Sequence, residues 1–448
     1  MAAIKMCILP KLLFLFQNVP VIRGNSIFKN WQKILSKFIW QGKRPRIRFK
    51  LLTDRKDRGG FAVPNLRLYY EALCLCWLRE WIVLKNTDLL DLEGFDLRFG
   101  WHAYLWQNKE KVHKGSSNHI IRGSLLEVWE KNRKLLEKNT PWWLSPIDIL
   151  TIKKTNIEGE RWTYEDLLER SEKGWKIRPY EELKDKLTGW LQYHQINALW
   201  KEDKKTGMNE KKSRFQVEII ESKTKLLSKM YNLLLEWDTK DEEVKEVMIK
   251  WAIDFGYNLD YDNWTRLWNK GMKFTACTTL RENMEKMMYR WYITPVKLEK
   301  MYKTRDNRCW KCKSKEGSFY HMWWKCEEIK KIWEAIYNEL KKILKYTFVK
   351  KPEAFLLGMI GDKIKKEDYI MFQYATVAAR ILLAQNWKTP NIPTVKDWQI
   401  KLFEYLELAK MTQNIRQQKD TKFNDDWTKF ITYMETNSRN LKITVGLT

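Results

Sequence analysis

The sequence predicts a mainly α-helical protein, with a helical N-terminal piece, a basic linker and a larger helical C-terminal domain holding a small Cys/His insert. Three observations predict it. Apolar residues recur at three- and four-residue steps over most of the chain, the spacing that lines one face of an α-helix. Period-two alternation is rare. Helix start and stop signals also fall where the periodic runs begin and end.

Taken in order, the apolar run Ile8 to Phe16 is interrupted by Pro10 and Lys11 and lacks a small-residue cleavage pattern. It reads as an element of the fold and not as a signal peptide. Arg46 to Leu52 is the best short strand candidate. Arg55 to Gly60 is a charged turn that closes a first unit, residues 1–70. Residues 71–200 form a helical connecting region, with a polar loop over 107–124. Residues 201–214 carry Lys201, Lys204, Lys205, Lys211, Lys212 and Arg214 with few apolar residues, and read as a basic linker.

Residues 215–435 read as one helical domain. Ile220, Leu226, Leu227, Met230, Leu233, Leu234 and Trp237 share a face over 217–237. Thr239 and Glu242 have capping-box spacing ahead of Val244, Val247, Met248, Trp251 and Phe255, and Gly256 stands at the expected C-cap. Residues 280–292 repeat the pattern, and Thr294-Pro295 reads as a cap with proline in the first turn. Residues 327–345 carry Ile329, Ile332, Trp333, Ile336, Leu340 and Ile343 on one stripe. Residues 436–448 read as a polar tail.

Composition bounds the function. The chain has 448 residues, enough for two or three domains, and 44% hydrophobic residues, enough for a core. Lys and Arg number 83 against 56 Asp and Glu, a net charge of +27 that favours polyanionic partners. No segment is apolar over the ~20 residues a bilayer span needs, so RNA and/or DNA is the expected partner and a membrane is not. There are 25 tryptophans; most are expected in the core, a minority stacked on bases or under Arg and Lys stems. The seven cysteines make a poor disulfide framework and a better set of reduced thiols, which implies an intracellular protein, nuclear and/or cytoplasmic.

One constellation has metal-ligand spacing. Cys309 and Cys312 form a C-x-x-C pair, and His321 and Cys326 follow within eighteen residues of Cys309. Three thiolates and an imidazole close a tetrahedron, which suits structural zinc and leaves no open catalytic position. Gly317 is expected to let the chain reverse between the two halves of the site. Lys311, Lys313, Lys315 and Lys325 surround the ligands, with Trp310, Trp323 and Trp324 between them. Charge and aromatic faces around a small metal loop suit single-stranded nucleic acid. A second basic run, Lys43 to Lys50, would place Arg44, Arg46 and Arg48 on one side of a strand, with Lys43 beside them, for phosphate contact. The alternative is a solvated edge strand whose charges protect it from aggregation.

Phe423-Asn-Asp-Asp426 matches the aromatic-x-Asp-Asp pattern of polymerase palms. Its polar flanks lack the apolar strands such a hairpin needs. It reads as a loop followed by a helix capped by Asp425 or Asp426. No Walker lysine loop, G-x-S-x-G elbow or H-E-x-x-H is present.

Several stretches in order carry a resemblance: Leu9-Pro-Lys-Leu-Leu-Phe-Leu-Phe-Gln-Asn-Val-Pro20, Ser36-Lys-Phe-Ile-Trp-Gln-Gly-Lys43, Gly59-Gly-Phe-Ala-Val-Pro-Asn-Leu-Arg-Leu-Tyr-Tyr70, Tyr289-Arg-Trp-Tyr-Ile-Thr-Pro295 and Cys309 to Trp333. Together they resemble the C-terminal portion of the second open reading frame protein of LINE-1-type (non-LTR) retrotransposons. The resemblance implies that residues 1 to about 70 are a thumb-like end of a reverse transcriptase. It implies that residues beyond about 200 are an RNA- and DNA-contacting segment, with Cys309, Cys312, His321 and Cys326 as its metal ligands. The family's endonuclease and its palm with the catalytic aspartates would lie upstream, so the expectation is a truncated, non-catalytic nucleic-acid-binding fragment. Two alternatives remain: an accessory part acting with polymerase domains supplied in trans, and an inert remnant.

Overall fold

The computed structural model describes residues 2–107, 119–150, 161–172, 174–238, 241–270, 274–303, 306–360, 364–416 and 420–437. It is mainly α-helical, as expected, with one two-stranded sheet among the described residues. The chain divides into two compact units. The first is Met1–Pro45, Leu52–Asp54 and Ala62–Lys240; the second is Arg46–Leu51, Arg55–Phe61 and Asp241–Thr448.

The first unit is built around the helix Leu66–Val83. Asn65 caps it by accepting from the Leu68 N–H at 3.3 Å. It is apolar nearly all round, and Leu68, Ala72, Leu73, Leu75, Leu78 and Ile82 are buried on several faces. The one buried charge on it, Glu71, takes Arg67 at 2.9 Å, the Lys131 ammonium and the Asn132 amide, so its desolvation is offset by three donors. Tyr69 stacks on Tyr231 of the helix Leu226–Asp238, ring centroids 3.9 Å apart.

That stacking keeps the helix Leu226–Asp238 in the first unit, beyond the expected linker. Residues 201–214 are structured. The helix Trp190–Asp203 runs into them, a 3-10 turn follows at Lys204–Thr206, and Thr140 bridges Met208. The Asp203 carboxylate takes the Trp106 indole at 3.0 Å and the Tyr164 hydroxyl at 2.6 Å. Polar composition reports where the lysine heads point; here one aspartate and the backbone hold the segment. Within 217–237 the chain makes two helices, Arg214–Glu221 and Leu226–Asp238, broken where Lys225 adopts φ +57°. The helix Ile120–Leu136 takes in the end of the expected loop 107–124; residues 108–118 of that loop lie outside the described residues. The antiparallel hairpin Leu168–Ser171 with Gly174–Ile177 was not foreseen, since four residues per strand are too few for alternation to stand out.

The second unit is a bundle. Its core runs through Trp251, Met284, Met287, Trp323, Trp333, Phe355, Phe372, Trp398 and Trp427, all buried. Gly256 stands at φ +84° with its N–H on Ala252 O, the expected C-cap of the helix Asp241–Phe255. The Thr239/Glu242 capping box falls outside the residues whose side chains are described. Thr294 caps the helix Pro295–Tyr302, accepting from the Lys297 N–H at 3.2 Å, with Pro295 in the first turn. The helix Glu327–Leu344 spans the predicted stripe.

Three expectations need correction here. Arg46 to Leu52 is no strand: residues 43–48 are irregular, with bends at 43, 46 and 47, and the helix Phe49–Thr53 follows. No neighbouring strand lies beside it among the described residues, and an isolated extended segment has no ladder to join. The charged turn at 55–60 does form, as a 3-10 turn Lys56–Arg58 with Gly59 at φ +98°. It belongs to the second unit: Phe61 stacks on Tyr289 at 5.6 Å, and a Cβ on Gly59 would sit 2.6 Å from the Trp268 ring. Phe423 to Asp426 lies inside the helix Asp420–Asn437 and not at its start.

Candidate metal centre

A short antiparallel bridge, Arg308 to Glu316, closes the loop that carries the first two thiols. The Cys309 N–H donates to Lys315 O at 2.8 Å and the Gly317 N–H to Asn307 O at 2.8 Å. Inside this clasp the C-x-x-C turn is tight. Lys311 N–H points at Cys309 Sγ, 3.4 Å away, and the Lys313 N–H returns to Cys309 O at 3.0 Å. The residue that reverses the chain is Lys313, at φ +60°. Gly317 was expected in that role. Its lack of a side chain serves packing instead, because a Cβ there would lie 2.6 Å from the Pro295 ring.

The other two donors come from one turn of π-helix, His321–Lys325. In an α-helix, residues five apart differ in direction by about 140° and could not face one ion together. The i→i+5 bond, Cys326 N–H to His321 O at 2.8 Å, brings them onto the same side. Ser318 Oγ accepts from the His321 N–H, and Cys326 then opens the helix Glu327–Leu344, whose Trp333 indole donates to Trp323 O at 2.7 Å. A buried helix thus anchors the second half of the site.

The four donor atoms all lie within 4.8 Å of one another. Cys309 Sγ and Cys326 Sγ are 3.9 Å apart, and Cys312 Sγ and His321 Nε2 are 3.4 Å apart. Cys309 and Cys326 are fully buried, His321 nearly so and Cys312 half-buried. The hydrogen bond between the two buried sulfurs brings Cys309 down to about 7 and pushes Cys326 up to about 12. Desolvation raises Cys312, but hydrogen bonds from Ser314 and the Lys315 backbone outweigh it and bring the thiol to about 7. A nearly closed set of three sulfurs and one nitrogen at this spacing could hold a metal ion.

The surrounding residues divide. Lys313, Lys315 and Lys325 are exposed, Lys325 lying 5.1 Å from the Tyr320 ring centre. Trp310 is half-buried, edge-on to Trp387. Two expected nucleic-acid residues are corrected. Trp323 has no exposed surface and stacks on Trp387 at 5.0 Å, so no base can reach it. Lys311 is buried. Its ammonium donates to Asn386 O, Thr389 O and Asn391 O at 2.7, 2.7 and 2.6 Å, which leaves nothing for a phosphate. No spacing rule links residue 311 to 386–391. The signal that does exist, a loop of Asn, Thr and Pro after a buried helix, says only that carbonyls there need partners.

In the basic run, Lys43, Arg44, Arg46 and Arg48 are all exposed. Arg46 lays its guanidinium over Trp291, 4.7 Å from the ring centre, and Arg48 pairs with Glu246 at 3.1 Å. No helix among the described residues is long and apolar enough to cross a membrane. A comparison with models of known protein families finds no match.

Proposed function

We propose that this chain is a non-catalytic, zinc-stabilised module that binds single-stranded RNA or DNA, of the kind that ends non-LTR retrotransposon reverse transcriptases. The observation that carries it is a closed Cys3His donor set whose rim presents Lys313, Lys315 and Lys325 to solvent. Zinc suits the donors. A tetrahedron with bonds of about 2.3 Å to sulfur and about 2.0 Å to nitrogen has edges of about 3.5–3.8 Å. The 3.9 and 3.4 Å separations are near those edges. All four positions would be filled by protein, so the ion's contribution is to the fold. The net charge of +27 supplies the long-range attraction to phosphate.

Fluorescence anisotropy with a labelled single-stranded RNA, across a salt series, tests this. Affinity is expected to fall steeply with salt, by ~0.7 in log–log slope per phosphate contact, and to fall further on chelation. Absence of binding at low salt overturns the reading.

A further inference from the structure

Two segments of the second unit wall a cleft of about 420 Å³, within the roughly 300–1,000 Å³ of small-ligand sites. One runs from Tyr257 into the helix Tyr261–Lys270; the other is the short helix Pro352–Leu357 with the turn after it. Local rules build both. After Gly256 stops the preceding helix, Asp260 starts the next by accepting from the Asn263 N–H at 3.0 Å. Gly358, at φ +73°, ends the short helix, and the Met359 N–H returns to Glu353 O at 3.1 Å.

Leu259, Leu267, Met359 and Ile360 give the cleft apolar walls, and the Tyr257 ring, stacked on Phe255 at 5.9 Å, is 45% exposed beside them. Its polar groups differ in how far they are committed. Asp260 is taken up by its cap. Glu353 is buried; its Oε1 lies 3.7 Å from the Lys351 ammonium, and the Tyr257 hydroxyl bonds the same carboxylate. Its Oε2 is buried with no hydrogen-bond partner. A buried carboxylate oxygen without a donor costs free energy that an N–H entering the cleft would recover. Arg266 is exposed, donates to Asn263 Oδ1 at 3.3 Å, and pairs with no carboxylate among the described residues, so most of its N–H groups remain for an anion.

An occupant that satisfies all of these carries N–H donors for Glu353, an apolar body for the walls and an anion for Arg266. A nucleotide has all three. Among the common bases only guanine sets two N–H groups side by side, at N1 and the 2-amino group, to face the two oxygens of a carboxylate. Adenine and cytosine would turn a ring-nitrogen lone pair toward Glu353, and uracil two carbonyls, so repulsion rejects them.

Resting on the nucleic-acid reading above, we infer that this cleft is a guanine pocket: Glu353 accepts from the base, the apolar walls hold its faces, and Arg266 takes the phosphate of that nucleotide in the bound single strand.

The test uses the full chain, zinc-loaded. Calorimetry follows GMP, AMP and UMP, and anisotropy follows a labelled oligouridine strand with and without one central guanosine. The variants are Glu353→Gln, Arg266→Ala, and Lys396→Ala as an exposed charge-loss control, each checked for folding by circular dichroism and its urea midpoint. GMP should bind, with AMP and UMP on the order of tenfold weaker or more, and the guanosine should tighten strand binding on the order of tenfold. Glu353→Gln should erase both preferences and leave the affinity for plain oligouridine as it was. Arg266→Ala should weaken GMP and lower the salt slope of the guanosine strand by ~0.7, and Lys396→Ala should leave GMP binding unchanged. If GMP binds through Glu353 and no strand binds, the pocket stands and the nucleic-acid module falls. If GMP binds but strands bind without regard to guanosine, the occupant is a free nucleotide and the assignment to the bound strand is overturned. If strands bind and GMP does not, or if both Glu353→Gln and Arg266→Ala bind GMP as the unmodified chain does, the module stands and the pocket is overturned. If nothing binds the unmodified chain, both are overturned.

Discussion

The metal loop at 309–326 and the basic run at 43–50 carried the same expectation, contact with nucleic acid, and the structure treats them differently. The loop is held from inside: four donor atoms converge, and the one lysine between the first two cysteines is clamped by three carbonyls. The run has no strand to belong to, and its cations stay at the surface, two of them engaged with Trp291 and Glu246. Identical residue types therefore do opposite work. In a lysine-rich protein, proximity to a ligand motif is poor evidence that a lysine faces solvent.

The largest effect that would break this contrast is loss of a ligand. Cys326→Ser should abolish stoichiometric metal binding and forfeit ~10 kcal/mol or more of local folding free energy, read as rapid proteolysis across 306–330. The same loss should appear on acidification. Cys326, at about 12, must release its proton to bind at any neutral pH, and Cys309 and Cys312, at about 7, add two more competing protons below that value, so metal retention should drop steeply between pH 7 and 5. Unchanged metal content in Cys326→Ser would sink the four-ligand assignment.

Next in size is Lys311→Met, which keeps the stem and deletes the three bonds of the ammonium. Hydrogen bonds to a charged group contribute about 1.5–3 kcal/mol, and the three stranded carbonyls should cost about 3 kcal/mol in urea unfolding. The RNA salt slope should stay as it was; a reduced slope would return Lys311 to the binding surface. The smallest effect belongs to the basic run. Lys43→Ala with Arg44→Ala should leave stability within about 0.5 kcal/mol and lower the salt slope by up to ~1.4. An unfolding midpoint that shifts strongly would mean these two side chains are structural.

Much of the second unit was legible. The stripe of Ile329, Ile332, Trp333 and Ile336, the Thr294-Pro295 start and the Gly256 stop each follow from local rules, because helix periodicity and capping involve neighbours within four residues. The ligand set was legible for a related reason, since a metal needs particular atoms at short spacing. How His321 and Cys326 come to face one way was not, because a π turn has no sequence signature. The Lys-rich stretch 201–214 looks like a linker in the sequence, and its structure was not legible because Asp203 meets Trp106 and Tyr164 from far away in sequence.

The sequence by itself determined the helical class, the positive charge and the identity of the four donors, all of which depend on composition or on short spacing. Only the tertiary structure decided which cations are free. It buried Lys311 and Trp323 and turned Arg290 inward. The physical reason is that a charge's surroundings are set by whichever distant segments pack against it.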